Sequence, residues 1–406
     1  MKLVIDNIGK LDHADIDISS VTVICGTNGT GKSTVAKSLF SIFNGLSNTS
    51  KQIERERKND FDYIMGFIRV LGDVDDENML LLSKKMLECG SNIDEVKRVL
   101  DLFVEDSRIK EIAMSRYKAG IAIDDEKILT EIINRRLDVE FDKQINNIYN
   151  DKRGSIELII NDKSSNSLKI SKFIIKDNKV IDIENDIDLK SEAIYIDDFK
   201  LIEGVERERP SLINDKKPLL SHVNHLYNNL KIFDESHVIQ DIINNNYFNK
   251  IFDEVCPGEI YISKESNKYE YKPKDTEKSL SIRNIAEGMK NFLIMKLLIN
   301  KETLLQNGVL ILDEPEIHLH PEWQLRFAEL IVLINKYLKT HILINTHSPY
   351  FLNAIEVYTD KYKIEKPKYY LSENNGCVYD ITDNTERAYA KLAKPFQILE
   401  DEWYDE

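Results

Sequence analysis

The run Gly26-Thr27-Asn28-Gly29-Thr30-Gly31-Lys32-Ser33 constrains this chain more than any other segment. Its spacing, G-x-x-x-x-G-K-S, suits a turn that aims several backbone N–H groups at a triphosphate. Lys32 would reach the β- and γ-phosphates as a point charge, and the Ser33 hydroxyl would sit on Mg²⁺. Val21-Thr-Val-Ile24 just before the loop reads as a short buried strand. The stretch from Ser33 and Thr34 to Phe40 reads as a helix, whose N-terminus favours a bound anion. A strand–loop–helix unit of this kind belongs to an α/β fold, a P-loop nucleotide-binding core.

The second half of the chain supplies the partners such a loop needs. Gly308-Val-Leu-Ile-Leu312 is a continuous apolar run ending in Asp313-Glu314-Pro315. Parallel strands buried on both faces read this way, and sites in α/β sheets lie at strand C-termini. Asp313 is therefore expected to hold Mg²⁺ through water, opposite Ser33, and Glu314 to polarise the water that attacks the γ-phosphate. A second apolar run, His341-Ile-Leu-Ile-Asn345, leads to Thr346-His347-Ser348-Pro349. His347 would stand where it can hydrogen-bond the γ-phosphate or the water. Upstream, Ala286-Glu287-Gly288-Met289-Lys290 opens an apolar helix over Leu293–Ile299, and a glycine there can bring N–H groups onto phosphate. A plain capping turn explains that segment equally well.

Composition narrows the setting. A chain of 406 residues buries a large core and holds one big domain with insertions, or two domains. Cys25, Cys89, Cys256 and Cys377 share no close spacing, which predicts buried reduced thiols and no zinc ribbon. His222 and His225 stand at i, i+3 without further spaced ligands and read as ordinary histidines. Met1–Asp6 is charged and carries no signal-peptide core, and no run approaches the ~18 apolar residues of a membrane span. A cytoplasmic protein without a membrane partner is expected. The net charge of −15 argues against constitutive nucleic-acid binding, which relies on Lys and Arg at phosphates. Clusters such as Arg55-Glu56-Arg57-Lys58 are interleaved with acids and read as solvated faces.

In order, residues 1–44 read as two strands, the loop and its helix. Residues 45–150 turn helical: Val96, Val99, Leu100 and Phe103 follow a helical period, with Ser91 and Asp94 as a start signal. Four or five helices are expected there, as a compact insertion without sustained heptads. Residues 151–406 return to the core, with strands around Ile156–Ile160, a hairpin turning at Asp177-Asn178, and the buried run Ala193–Ile196. Residues 211–253 read as a second helical arm.

Taken together, the phosphate loop, Ala-Glu-Gly-Met-Lys, Leu-Asp-Glu-Pro-Glu-Ile-His-Leu-His-Pro and Asn-Thr-His-Ser-Pro resemble an ABC-type ATPase. More narrowly, they resemble the AAA-ATPase-like branch found in OLD-family nucleases and in anti-phage ATPases such as the Septu and PARIS subunits. Glu316-Ile317-His318-Leu319-His320-Pro321 discriminates most, being rare in transporter ATPases. The resemblance implies roles for Gly26 to Ser33 in cradling ATP, for Asp313 as the Walker B acid, for Glu314 as the base and for His347 as the switch histidine. It also implies that Gly288 stands in for the signature motif, which contacts ATP on the opposite subunit of a head-to-tail homodimer or higher oligomer. The segment departs from the usual Leu-Ser-Gly-Gly-Gln. His318 and His320 would shape the interface loop. The metal-coordinating glutamine of the family is unassigned, Gln144 being a weak candidate. The stretch after His347 is too short for the Toprim nuclease of OLD proteins, which implies a separately encoded effector, a nuclease or toxin. The alternative is a RecF/SMC-like repair ATPase that binds DNA directly.

Overall fold

Fourteen strands and the helices between them are described in the computed structural model over residues 1–162, 167–205, 220–231, 248–263, 265–301, 303–304, 306–395 and 398–399. The chain divides into two compact units, Met1–Ser47 with Ile133–Glu406, and Asn48–Ile132. Most of the expected arm at 211–253 lies outside the described residues; the helices His222–Leu230 and Asn249–Val255 are what is described of it.

The strands of the first unit are β1 (Lys2–Ile8), β2 (Leu11–Asp17), β3 (Val21–Cys25), β4 (Gly154–Asp162), β5 (Ser167–Lys176), β6 (Lys179–Asn185), β7 (Ala193–Ile196), β8 (Gly258–Ile262), β9 (Tyr269–Pro273), β10 (Leu280–Ser281), β11 (Val309–Asp313), β12 (His341–Thr346), β13 (Lys368–Ser372) and β14 (Cys377–Asp380). Eleven of them form one sheet in the order β6-β5-β4-β1-β2-β14-β13-β3-β12-β11-β7, and β10-β9-β8 form a small second sheet. From β13 to β7 every neighbouring pair is parallel. This is the part of the sheet with continuous apolar runs: β3 and β7 are buried at every position, and β11 at all but its last. In the other wing β6-β5-β4-β1-β2 pair antiparallel, as do β13 and β14, while β14 meets β2 in parallel; the alternation shows in β2, where Leu11, Ala14 and Ile16 are buried between exposed residues. N-terminal to the phosphate loop there are thus three strands, one more than the two expected: Asp12, His13, Asp15 and Asp17 make β2 polar enough to read as loop. The β5–β6 hairpin turns at Asp177 and Asn178, both at positive φ, as such two-residue turns require.

Register puts Asp313 beside Asn345, and Thr346 and Leu371 on either side of Cys25. The C-terminal ends of β13, β3, β12 and β11 therefore share one edge of the sheet. The helices Glu287–Asn300, Pro321–Leu338 and Pro349–Lys361 contribute Phe292, Phe327 and Phe351 to the core cluster that also holds Val23, Leu312 and Ile344. Phe292 and Phe327 meet edge-on at 5.2 Å.

The second unit is helical. Thr49–Leu71, Asp76–Cys89, Ile93–Phe103 and Ser107–Ala122 enclose a core that includes Ile64, Leu82, Met86, Val96 and Leu100. Asp75, Asn92 and Asp106 cap the last three, so the third helix starts on Asn92 and not on Ser91. A further helix, Asp125–Glu140, runs on from this unit into the first, where Ile133 and Leu137 are fully buried. The helical unit is accordingly narrower than residues 45–150. Among the described residues no helix is long and apolar enough to cross a membrane.

Candidate functional site

The phosphate loop leaves β3 at Gly26 and enters the helix Lys32–Gly45. Gly31, the N-cap, sits at φ 105°, and a Cβ there would come within 2.5 Å of Leu11. A Cβ on Gly26 would meet the Ser372 carbonyl at 2.6 Å, so that position is closed to side chains by the neighbouring strand end. The helix has no side-chain cap and no acid in its first turn. Its leading N–H groups and positive end are thus left for an anion. The Thr30 hydroxyl donates to the Thr27 carbonyl at 3.0 Å, and the buried Ser372 hydroxyl donates to the Thr30 carbonyl at 2.9 Å. Thr27 is half-buried, Asn28, Gly29 and Ser33 are exposed, and Thr34 donates its backbone N–H to Gly31.

Lys32 is buried under the loop, its ammonium 2.9 Å from the Gly26 carbonyl and 3.1 Å from that of Thr27. Burial pulls it below the ordinary lysine range, while the charges of Glu314, Asp313 and Glu316 pull the other way. Glu314 Oε1 lies 3.8 Å from the ammonium.

Asp313 closes β11, and both of its oxygens are engaged. Oδ2 accepts from the Tyr195 hydroxyl at 3.0 Å and Oδ1 from the Asn345 amide at 3.1 Å. Glu314 follows at φ 49°, and its backbone N–H bonds the Asn345 carbonyl at 2.9 Å. His347 Nδ1 is 3.1 Å from Glu314 Oε1 and 4.0 Å from Glu316 Oε1. Glu316 itself is buried and accepts from the Thr346 hydroxyl. Burial drives its carboxyl above the ordinary value, against the pull of that hydrogen bond and of His347. The fold therefore gathers Lys32, Asp313, Glu314 and His347, residues from three strand ends, into one polar cluster. Ser33 and Asp313 offer hydroxyl and carboxylate oxygens, the hard donors that suit Mg²⁺.

Gly288 stands elsewhere. It is the second residue of the helix Glu287–Asn300, buried against the loop after Glu314, where a Cβ would be 3.0 Å from the His318 carbonyl and 3.1 Å from the Trp323 ring. The exposed surface of its segment is Ala286, with Glu287 paired to Lys200 at 2.8 Å and to His318 at 3.2 Å. A cleft lined by Asp197, Phe199, Glu287, Asn291, Glu314 and His318 runs beside it. His320 caps the helix Pro321–Leu338, accepting from Glu322. Gln144 is exposed in the turn after Glu140.

Sequence reasoning missed Tyr195, Asn345, Ser372 and the anchoring role of Glu316. Asn345 and Thr346 interrupt an apolar strand just where it reaches the site, and that interruption is the one signal available. His222 and His225 are neutral to metal chemistry here. Each ring meets carboxylates, His222 those of Glu140 and Asp197 and His225 that of Glu192, and among the described residues no group of three or more His, Cys, Asp or Glu could hold a metal ion. All four cysteines are free, with burial pushing Cys25 up to about 12.

A stretch of 51 residues is 41% identical to the Septu protein PtuA of Bacillus thuringiensis, covering 12% of this chain and 12% of that protein. The chain thus spans only a small part of the length of that relative. Among solved structures, the SMC head domain from Thermotoga maritima is 11% identical with a TM-score of 0.41, covering 93% of this chain and 97% of that one. The Smc head domain with an extended coiled coil, bound to the C-terminal domain of ScpA from Pyrococcus furiosus, is 12% identical with a TM-score of 0.45, covering 98% of each chain. Residues 1–352, which carry the loop, the two acids and His347, match the AAA ATPase domain, and the chain belongs to that family.

Proposed function

We propose that this protein binds ATP with Mg²⁺, hydrolyses it slowly, and acts as the sensor or regulatory ATPase of a bacterial anti-phage defence system with a separately encoded effector. The observation that carries the catalytic part is the convergence of Lys32, Asp313, Glu314 and His347 at one edge of the sheet. The short match to the Septu protein PtuA supports the defence setting.

In this reading the amides of Gly26 to Ser33 bind the phosphates, and Lys32 exchanges its two backbone carbonyls for phosphate oxygens. Ser33 and, through water, Asp313 would hold Mg²⁺, which would supply positive charge at the phosphates. Glu314 takes the proton of the attacking water. His347, whose Nδ1 lies 3.1 Å from that carboxylate, hydrogen-bonds the γ-phosphate or the attacking water. The left-handed backbone at Glu314 costs on the order of 1–3 kcal/mol, a strain kept where placement of a side chain matters. ATP then joins two copies head to tail, each presenting its Ala286-Glu287-Gly288 segment to nucleotide held by the other.

Titration of ATP into Lys32→Ala should show affinity lowered at least ~10-fold, since a charge-assisted contact is lost. Glu314→Gln should bind ATP as tightly as the parent and hydrolyse it ~10²–10⁴-fold more slowly. With ATP, Glu314→Gln should double in mass by light scattering, and a second change, Ala286→Arg, should prevent it. Unaltered ATP affinity in Lys32→Ala, or fast turnover by Glu314→Gln, overturns the catalytic assignment. The neighbouring open reading frame decides the setting: replication or recombination genes in place of a nuclease or toxin would count against defence.

A further inference from the structure

Tyr195 lies on β7, the strand that flanks β11, in register with Ile311. Its ring is buried, and its hydroxyl reaches the last residue of the neighbouring strand, at Asp313 Oδ2, 3.0 Å away. A phenylalanine would bury the same apolar ring without a hydroxyl to desolvate. The hydroxyl is thus in place for Asp313. With the Asn345 amide on Oδ1, each carboxylate oxygen carries one donor, which sets the plane of the group. A carboxylate offers about four lone-pair sites, so the outward-facing ones stay available.

The ring that carries this hydroxyl is itself clamped. Tyr195 packs on the His222 ring, with centroids 4.3 Å apart and planes inclined by 32°, and on Phe40 of the helix after the phosphate loop at 6.1 Å. His222 is held at its ring and its main chain: Nδ1 hydrogen-bonds Glu140 Oε2 at 2.7 Å, Nε2 lies 2.9 Å from Asp197 Oδ2, and the backbone N–H donates to Glu140 Oε1 at 2.7 Å. Both edges of the imidazole and its main chain are tied to carboxylates from two further elements.

We propose that Tyr195 is a positioning residue for the Asp313 carboxylate, and that the Glu140–His222–Asp197 clamp holds the tyrosine ring for that purpose. The proposal rests on the reading of Asp313 as a metal ligand. Outer-shell partners of metal-binding carboxylates typically contribute 10–100-fold in metal affinity.

The test is Tyr195→Phe in the Glu314→Gln background, loaded with ATP and titrated with Mn²⁺ while the free-ion signal is followed by electron paramagnetic resonance. Mn²⁺ affinity should fall about tenfold, with the melting temperature and metal-free ATP affinity as in the parent. In the otherwise native enzyme, the Mg²⁺ concentration for half-maximal hydrolysis should rise by a similar factor. His222→Gln, which keeps the hydroxyl but releases the ring, should shift both in the same direction by less, and it carries the test if Tyr195→Phe does not fold. Parent-like Mn²⁺ affinity in the folded variant overturns the proposal. Asp313→Asn separates the two levels. If it too binds Mn²⁺ like the parent, the metal assignment of Asp313 has failed; if it loses Mn²⁺ while Tyr195→Phe does not, Tyr195 alone was misassigned.

Discussion

Ser372 shows how much a single hydroxyl can control in this site. It is buried at the end of β13, donates to the Thr30 carbonyl, and its own carbonyl closes the space over Gly26. Ser372→Ala removes one buried hydrogen bond and orphans a carbonyl of the phosphate loop. Such a loss is worth ~0.5–1.5 kcal/mol, so ATP affinity should weaken about three- to tenfold. Calorimetric titration of the variant measures this, and an unchanged dissociation constant would show that the loop keeps its shape without the tie. Glu316 is a different case, since its carboxyl is buried, raised and anchored to Thr346. It ties the turn that follows Glu314 to the end of β12.

At the scale of elements, the clamp on His222 joins the end of the helix Asp125–Glu140, the end of β7 and the start of the helix His222–Leu230. Burial by itself would lower the imidazole, but the hydrogen bonds to Asp197 and Glu140 outweigh it and raise the pKa to about 9, against 6.5 for an ordinary histidine. A group raised in the folded state stabilises fully below the unfolded value and loses that contribution as pH climbs through the folded one. Melting temperatures of the native protein and His222→Gln should therefore differ most at or below pH 6.5 and converge by about pH 9. A constant difference across that window would rule out a charged clamp. The same elements show what was legible in the chain beforehand. β3, β11 and β12 were readable because strands covered on both faces leave continuous apolar runs, and the acids and histidine at their ends pointed to the site. β2 was not, since only alternate residues face the core. Tyr195 and Ser372 were invisible because their partners Asp313 and Thr30 lie 118 and 342 residues away, at distances set by strand order alone.

For the molecule as a whole, the insertion Asn48–Ile132 leaves and rejoins the first unit at one place. Gly45, near the exit, packs so closely on Ile133, at the return, that a Cβ would sit 2.1 Å from its side chain. Replacing 48–132 by a short Gly-Ser linker should thus leave a folded core that binds ATP, and should disconnect the effector; a product that melts without cooperativity would contradict this. With a net charge of −15 and its assigned acids committed to nucleotide, the purified chain should leave DNA and RNA uncut in Mg²⁺ or Mn²⁺. Tight, salt-resistant duplex binding would shift the assignment to a DNA-clamping ATPase. The placement of β3 between β12 and β13 has a consequence for biosynthesis. The flanking strands β12 and β13, the two acids, the histidine and Ser372 are translated hundreds of residues after the phosphate loop. A nascent chain therefore carries an unsupported loop until β12 and β13 are added. Fragments that end before β13 should therefore fail to retain ATP in an equilibrium binding assay.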